Sequence, residues 1–330
     1  MPPPSRHVLI LTHAQDAFVI ERVTAALERH GARVVRFDTD RFPAEVRLST
    51  RISADGTDHV LHAGSYTARA ADFDAVWARK LWTPHIADEV APELAAGCVR
   101  ESTAALHGFL DGLHAARWIN PLAAAYAAEN KLLQLRVATE VGLAVPHTLV
   151  TNDPGAVRAF HAEHAPLVAK MLTPLSVSMD RAELFVHTSA VREGDLAHLD
   201  QLRHSPMVFQ TRVEKDVELR VACVAERLFT GAIDASRSER GRVDWRLARP
   251  DEVAWRHAEL PAQVGERVLE LMRRLGLVYG AVDLIRTPSG EHVFLEVNPG
   301  GEWGMLERDL GLPIAEALAA ELLANEELHA

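Results

Sequence analysis

Three oxygen-bearing side chains near the C-terminal end of the chain carry the first chemical signal: Asp283, Glu296 and Asn298. Glu296 and Asn298 lie two apart at the end of the apolar, β-prone run His292–Val297, so in a strand both project to one face, with Phe294 expected on that face too. A second such run, Val278–Ile285, precedes it, and Thr287-Pro288-Ser289-Gly290 between them favours a tight reversal. Paired as a hairpin, the runs turn Asp283 toward the same spot. Two carboxylates and an amide oxygen, with no Cys or His among them, make a hard all-oxygen site that suits Mg²⁺ rather than Zn²⁺. Magnesium held by so few protein ligands completes its shell with water and phosphate. Acidic residues at strand ends also occur without a metal, so the pattern needs support from elsewhere. Some comes at once from Pro299-Gly300-Gly301, which ends the strand and brings bare backbone close to whatever the carboxylates hold.

Other polar groups occupy apolar strands. Lys170 ends Pro166–Lys170, where a flexible ammonium suits phosphate as well as solvent. Gln210 lies within Met207–Val213, Glu218 and Arg220 share one face of Val217–Val224, and Arg246 closes Asp244-Trp245-Arg246 after a polar loop. Glu218 and Arg220 also fit a bland role, paired with cross-strand neighbours on a solvated face.

The elements that must position these groups follow from periodicity. His7–Thr12, Phe18–His30 and Ala32–Phe37 read as the β-α-β opening of a parallel sheet. The loop after the first strand, THAQDA, has no glycine, which excludes a dinucleotide fingerprint there. Val46–Ile52, His59–Ala63 and Phe73–Arg79 complete an N-terminal unit, with Ala54-Asp55-Gly56 as a turn. Ala87–Ala116 reads as a helix leading to a domain boundary at Trp118-Ile119-Asn120-Pro121. Ala123–Val141, carrying Lys131, reads as one long helix stopped by Gly142. Asp153-Pro154 opens a helix to about His161, Glu183–His187 is a strand and Glu193–Arg203 a helix. Met207–Val213, Val217–Val224 and Arg227–Ala235 are expected as three consecutive antiparallel strands. Pro261–Leu275 places Val264, Val268, Leu271 and Leu275 on one helical face, and Leu312–Leu323 is a closing amphipathic helix. The fold class is therefore α/β, with α+β character in the later sheets.

Composition bounds the rest. At 330 residues, the chain can bury a large core in two or three subdomains. With 48% hydrophobic and 25% charged residues it has ordinary globular composition. A net charge of −11 excludes the basic field of a nucleic-acid binder. Cys98 and Cys223 form no CxxC pair, and Cys223 suits packing within its strand. The opening MPPPSRH lacks a signal-peptide core and no run reaches membrane-spanning length, so a cytoplasmic protein without membrane partners is expected. The 17 histidines show no HxxxH or HExxH spacing.

Taken in order, Lys131, Lys170, the Gln210-to-Val213 segment, Glu218-x-Arg220, Asp283 and Glu296-x-Asn298-Pro299 resemble the ATP-grasp ligases. Longer phrases narrow the resemblance: RFDTDRFP at 36–43, VWARKLW at 76–82, VAKMLTPLSVS at 168–178, MVFQTRVEKDVELRV at 207–221, DWR at 244–246 and FLEVNPGGEWGMLE at 294–307. Through these the chain is similar over nearly its whole length to the microviridin-type graspetide synthetases, which mature ribosomally made peptides. The resemblance implies an N-terminal pre-ATP-grasp domain at 1–118, a central ATP-grasp subdomain at 119–204 and a C-terminal ATP-grasp subdomain with the metal site at 205–330.

It also implies an activity: ATP phosphorylates an Asp or Glu side chain of a precursor peptide, and a Ser or Thr hydroxyl or Lys amine of the same peptide displaces phosphate, closing an ω-ester or ω-amide ring. By that resemblance Asp283, Glu296 and Asn298 hold Mg²⁺, and Lys131 and Lys170 hold the phosphates. Gln210, Thr211, Arg212 and Val213 flank adenine, and Glu218 binds ribose. Arg220, Arg246 and Lys170 serve catalysis by screening the negative charge of phosphoryl transfer. Glu193, Asp195 and Asp200 are candidates for contacting the helical leader of the precursor, although a solvated helix face reads the same way. A homodimer is implied as well. One departure is the absence of glycine from Met171–Glu183, where many ATP-grasp proteins carry a glycine-rich phosphate loop. Two alternatives stay open: an ATP-grasp ligase adding an amino acid to a protein or peptide terminus, and a non-catalytic peptide-binding subunit.

Overall fold

A six-residue apolar run cannot sit at a sheet edge without exposing itself, and His7–Thr12 forms a central strand, β1. The chain continues through α1 (Phe18–Arg29) and β2 (Arg33–Asp38), then an antiparallel meander of β3 (Val46–Ser53), β4 (Gly56–Ala63) and β5 (Tyr66–Arg69). β6 (Ala75–Ala78), α2 (Pro92–Asp111) and β7 (Arg117–Ile119) complete the N-terminal unit. Its main sheet is wholly parallel, in the order β2-β1-β6-β7. The structure is a computed structural model that describes residues 5–64, 66–173, 188–234 and 254–324. Helix α2 starts later than Ala87 because Pro92 occupies its first turn, where a missing N–H costs nothing.

The expected single helix over Ala123–Val141 is two helices, α3 (Leu122–Ala128) and α4 (Lys131–Glu140). Asn130 causes the break: its backbone is extended, and its Oδ1 accepts from the N–H groups of Leu132 and Leu133 at 3.0 and 3.2 Å. An Asn side chain that satisfies N-terminal amides starts a helix, and here it resets the axis immediately before Lys131. The central unit continues with β8 (Thr148–Thr151), α5 (Pro154–His164), β9 (Leu167–Lys170) and β10 (Ser189–Ala190). Glu193–His204 winds as a 3-10 helix, and β11 (Met207–Thr211) follows. The sheet order is β10-β9-β11-β8, so Met207–Thr211 completes the central sheet; this corrects the expectation from sequence that it would pair with the two strands after it, because its neighbours on both sides are strands of the central unit. The expected strand Glu183–His187 lies outside the described residues.

The last unit comprises β12 (Val217–Val224), β13 (Arg227–Ile233), β14 (Trp255–His257), α6 (Ala262–Arg274), β15 (Tyr279–Arg286), β16 (His292–Asn298), α7 (Gly304–Leu310) and α8 (Ile314–Leu323). Its antiparallel sheet runs β14-β13-β12-β15-β16. One face, with Val221, Cys223, Val282 and Val297, packs on α6 through Val268, Leu271 and Met272. The opposite face, with Ala222, Val224 and Tyr279, shares a core with Val8, Ile10, Trp77, α1 and α8. Burying an aliphatic or aromatic side chain contributes about 1.5–3 kcal/mol, so this joint core binds the N-terminal unit firmly to the final sheet. Helix α8 buries Ile314, Ala315, Ala317, Leu318, Ala319 and Leu322 between those units and keeps Glu316, Ala320 and Glu321 on its outer side, the amphipathic arrangement expected from sequence. No helix among the described residues is long and apolar enough to cross a membrane.

Candidate active site

The hairpin β15–β16 sets Asp283 directly opposite Glu296, and Ala281 opposite Asn298. The register then slips by one: Leu284 pairs with Phe294, leaving Leu295 as an extra residue in β16. This bulge reverses the side-chain alternation. Phe294 therefore points into the core with Leu284 and Val297, away from Glu296, contrary to the simple period-two expectation.

As the outermost strand of its sheet, β16 would present unpaired backbone groups. Helix α4 covers it. The buried Gln134 side chain accepts from the Val297 N–H at 2.9 Å and donates to the Val297 carbonyl at 2.7 Å, as a neighbouring strand would. Lys131 lies one turn earlier on α4, on the same side. That placement brings its Nζ to 2.6 Å from Glu296 Oε2 and 3.3 Å from Asn298 Oδ1. Asn298 Nδ2 also donates to Glu296 Oε1 at 3.2 Å.

On the other side of the dyad, Arg220 of β12 pairs in register with Asp283. Its Nη1 reaches both carboxylate oxygens at 2.8 Å, while Nε and Nη2 donate to the Glu302 carbonyl at 3.1 and 2.9 Å. Burial alone would lower the Arg220 pKa; the Asp283 charge and hydrogen bonds reverse that and raise it. Burial likewise pushes the Glu296 carboxyl upward, and the charges of Lys131 and Lys170 with the Lys131 and Asn298 hydrogen bonds overcome it, holding the pKa at about 2. Glu296 is thus ionised at neutral pH and faces Asp283, which is ion-paired with Arg220.

The oxygens of Asp283 and Glu296 with the Asn298 amide oxygen fit a hard divalent cation. A phosphate group fits the same place, since Lys131, Lys170 and Arg220 supply more positive charge than the two carboxylates cancel. Lys170 ends β9 across from Val208, and its charge is felt at Glu296.

The remaining candidates are spread over the central sheet and its exit. Gln210 is buried, with Nε2 donating to Thr148 Oγ1 at 2.9 Å, so its side chain is a sheet strut. The Thr211 and Arg212 N–H groups bond to the carbonyls of His147 and Pro166 at 3.0 and 2.8 Å. Thr211 Oγ1 is buried with no partner among the described residues. Glu218 accepts from Lys215 Nζ at 2.7 Å and lies on the same face of β12 as Arg220. Glu193, Asp195 and Asp200 are exposed on the 3-10 helix, away from any core, with Asp195 also accepting from the Arg192 N–H at 2.8 Å. Arg246 lies outside the described residues.

Four residues to which the motif reading gave no individual role hold this arrangement, two of them, Arg79 and Glu302, inside the quoted phrases. Gln134 is one. Asn120, two residues into the expected linker, is buried and makes four hydrogen bonds: Oδ1 accepts from the N–H groups of Val278 and Tyr279, both at 2.8 Å, and Nδ2 donates to the carbonyls of Tyr279 at 2.8 Å and Pro299 at 3.0 Å. Arg79, its side chain fully buried, donates to the Gly300 carbonyl and to Glu302 Oε2, the latter at 2.6 Å. Glu302 is the fourth, since its carboxylate meets Arg79 while its carbonyl meets Arg220. The available signal was the pair Arg79-Lys80 at the end of an apolar run, cations too costly to bury without anionic partners elsewhere.

A family model described as "MvdD pre-ATP grasp domain" matches residues 7–126. Among solved structures, macrocyclase MdnB from Microcystis aeruginosa MRC is 42% identical, with 97% of this chain and 100% of that chain covered at a TM-score of 0.83. Macrocyclase MdnC from the same organism, bound with precursor peptide MdnA, is 34% identical, with 96% and 99% covered at 0.85. A Chryseobacterium gregarium RiPP-associated ATP-grasp ligase, in complex with ADP and a leader and core peptide, is 31% identical, with 96% of each chain covered at 0.89. A comparison with curated proteins gives no match.

Proposed function

Because the chain belongs to the graspetide synthetase family of ATP-grasp ligases, we propose that it uses ATP to activate side-chain carboxylates of a ribosomally made precursor peptide and closes them onto hydroxyl or amine side chains of the same peptide. The observation that carries this reading is the opposed pair Asp283 and Glu296 held between Lys131, Lys170 and Arg220. The bound ADP and the leader and core peptide of the Chryseobacterium relative support the same choice of substrates.

Asp283, Glu296 and Asn298 would hold Mg²⁺, which when bound supplies Lewis-acid polarisation of phosphate oxygens. Lys131 and Lys170 bind and orient the phosphates. The segment from Gln210 to Val213 receives adenine, with the Thr211 hydroxyl, unpartnered among the described residues, available to it, and Glu218 receives the ribose. Arg220, anchored on Asp283 and the Glu302 carbonyl, stays fixed while negative charge moves between γ-phosphate and carboxylate. Arg246 is proposed to join it. Glu193, Asp195 and Asp200 offer an exposed acidic face to a basic leader segment.

The reaction balances in two steps. A substrate carboxylate oxygen takes the γ-phosphoryl group and ADP leaves; a hydroxyl or amine then attacks the acyl carbon and inorganic phosphate leaves with that carboxylate oxygen. Preorganised cations of this kind contribute about a hundredfold or more each to rate. The test is oxygen-18 labelling of the Asp and Glu carboxylates of a co-encoded precursor. Label should appear in the released phosphate, one atom per cross-link. Cross-linked peptide with unlabelled phosphate would rule out acyl phosphate formation.

A further inference from the structure

The parallel sheet of the N-terminal unit has no nucleotide fingerprint, yet its strand ends are chemically rich. Ligands of open parallel sheets bind in the crevice outside the carboxyl ends of the strands. Here β1 leads to His13 and Asp16, and β6 leads to Arg79, Lys80 and Trp82. This rim touches the loop that leaves β16: Arg79 donates to the Gly300 carbonyl, and a Cβ added at Gly300 would lie 2.6 Å from the Arg79 carbonyl oxygen. Glu302 joins the two sites, its carbonyl bonded to Arg220 and its carboxylate turned to the rim.

The Glu302 carboxylate accepts from Arg79 at 2.6 Å and from the N–H groups of Trp303 and Gly304 at 3.2 and 2.9 Å. Lys80 Nζ stands 3.8 Å from it, beyond hydrogen-bond distance. Its side chain is 37% exposed, and its ammonium donates to no oxygen within hydrogen-bond distance among the described residues. Burial first, and then the Arg79 charge, lower its pKa, and the nearby charges of Asp16 and Glu302 offset this only in part. A partly desolvated cation without a hydrogen-bonded partner is costly, and an anion at the rim relieves that cost. Beside it Trp82, 44% exposed, stacks on His13 with ring centroids 3.7 Å apart and planes within 2°. His13 is itself buried, and its Nδ1 has no partner among the described residues.

We propose that Lys80 and the His13–Trp82 stack form a binding site for an acidic side chain of the precursor's core peptide, presenting its carboxylate to the reaction centre at Arg220. The inference rests on the peptide-ligase reading above. Lys80 takes the carboxylate, and the flat face of Trp82 takes the methylene stem. An anionic phosphate is the competing occupant. Position argues for the carboxylate: Lys131 and Lys170 act at Glu296 on the outer strand β16, whereas Lys80 lies on the Arg220 and Glu302 side of the dyad.

The test reads binding without turnover, so a failure of cross-linking would count against the function and leave this site to be judged separately. A fluorescent co-encoded precursor and its twin with every core Asp and Glu changed to Asn and Gln are titrated into wild type, Lys80→Met and Lys80→Arg. Binding of the ATP analogue AMPPNP is measured alongside. Wild type should favour the acidic peptide by on the order of tenfold, the range of a charge-assisted hydrogen bond. Lys80→Met should abolish that preference and leave AMPPNP affinity unchanged, and Lys80→Arg should restore most of it. A preference that survives in Lys80→Met, or is absent from wild type, overturns the proposal. A loss of AMPPNP affinity with the peptide preference intact also overturns it, assigning the anion to phosphate.

Discussion

Asp283 and Glu296 stand directly opposite each other across an antiparallel pair, yet each is answered by a different cation: Arg220 for Asp283 at 2.8 Å, Lys131 for Glu296 at 2.6 Å. Like charges on opposed strand positions repel. The pair is stable only because the two cations approach from opposite sides, one along the sheet from β12 and one over its edge from α4.

Lys131→Met should therefore raise the Glu296 pKa from about 2 toward the ordinary carboxyl value of 4.5. The sign follows from the depressed folded value. The Glu296 contribution to stability is present above the ordinary carboxyl range and is lost as pH falls through that range toward about 2. Metal-free wild type should accordingly lose stability between those limits, and the variant should show a smaller acid-linked loss. An NMR titration of the Glu296 side-chain carboxyl checks the shift directly. The turnover of Lys131→Met should fall about a hundredfold.

Arg220→Met leaves Asp283 facing Glu296 without its guanidinium. Removing one partner of a buried pair costs about 3–5 kcal/mol, and the partial exposure of Asp283 places the expected loss at the lower end. Adding Asp283→Asn should recover part of it, because the uncompensated charge is gone. Denaturant unfolding of the two single variants and the double variant measures this coupling, while activity should be absent from all three.

Gly301→Ala tests how tightly the loop after β16 is fitted. A Cβ there would lie 2.4 Å from Ala281 Cβ, 2.9 Å from Arg220 Nη2 and 3.0 Å from Asn298 Cβ. These neighbours must shift, and they belong to the site. A displacement near 1 Å at a reacting centre costs about a hundredfold in rate. Turnover should fall much more than thermal stability; equal turnover would show that the loop does not set the geometry.

Asn120→Ala removes four hydrogen bonds between the end of β7 and the final sheet. Each buried backbone group left without a partner costs about 1–3 kcal/mol. A melting temperature lowered by several degrees is expected, and an unchanged one would mean that water replaces the side chain.

The chemistry of the site was readable in sequence where it depended on short spacing. Glu296-x-Asn298 and the turn at Thr287–Gly290 placed the hairpin, and Asp283 fell into register with Glu296. Leu295 was not readable as a bulge, because period-two alternation carries no mark for an inserted residue. The helix break at Asn130 had a local signal, an Asn able to cap the turn that starts at Lys131, but the alanine-rich run before it favours helix throughout. The Asn120 and Arg79 contacts join residues far apart in the chain, and no local pattern specifies such partners. The same holds for Gln134, a residue type ordinary on a helix surface, which here completes the edge of a sheet.

The most direct measurement is mass spectrometry of a co-encoded precursor after incubation with Mg²⁺, ATP and either wild type or Glu296→Gln. The account predicts loss of one water per cross-link with wild type, and unchanged mass with the variant even though the peptide still binds. A mass gain of one amino acid when free amino acids are supplied, or equal water loss with Glu296→Gln, would contradict it.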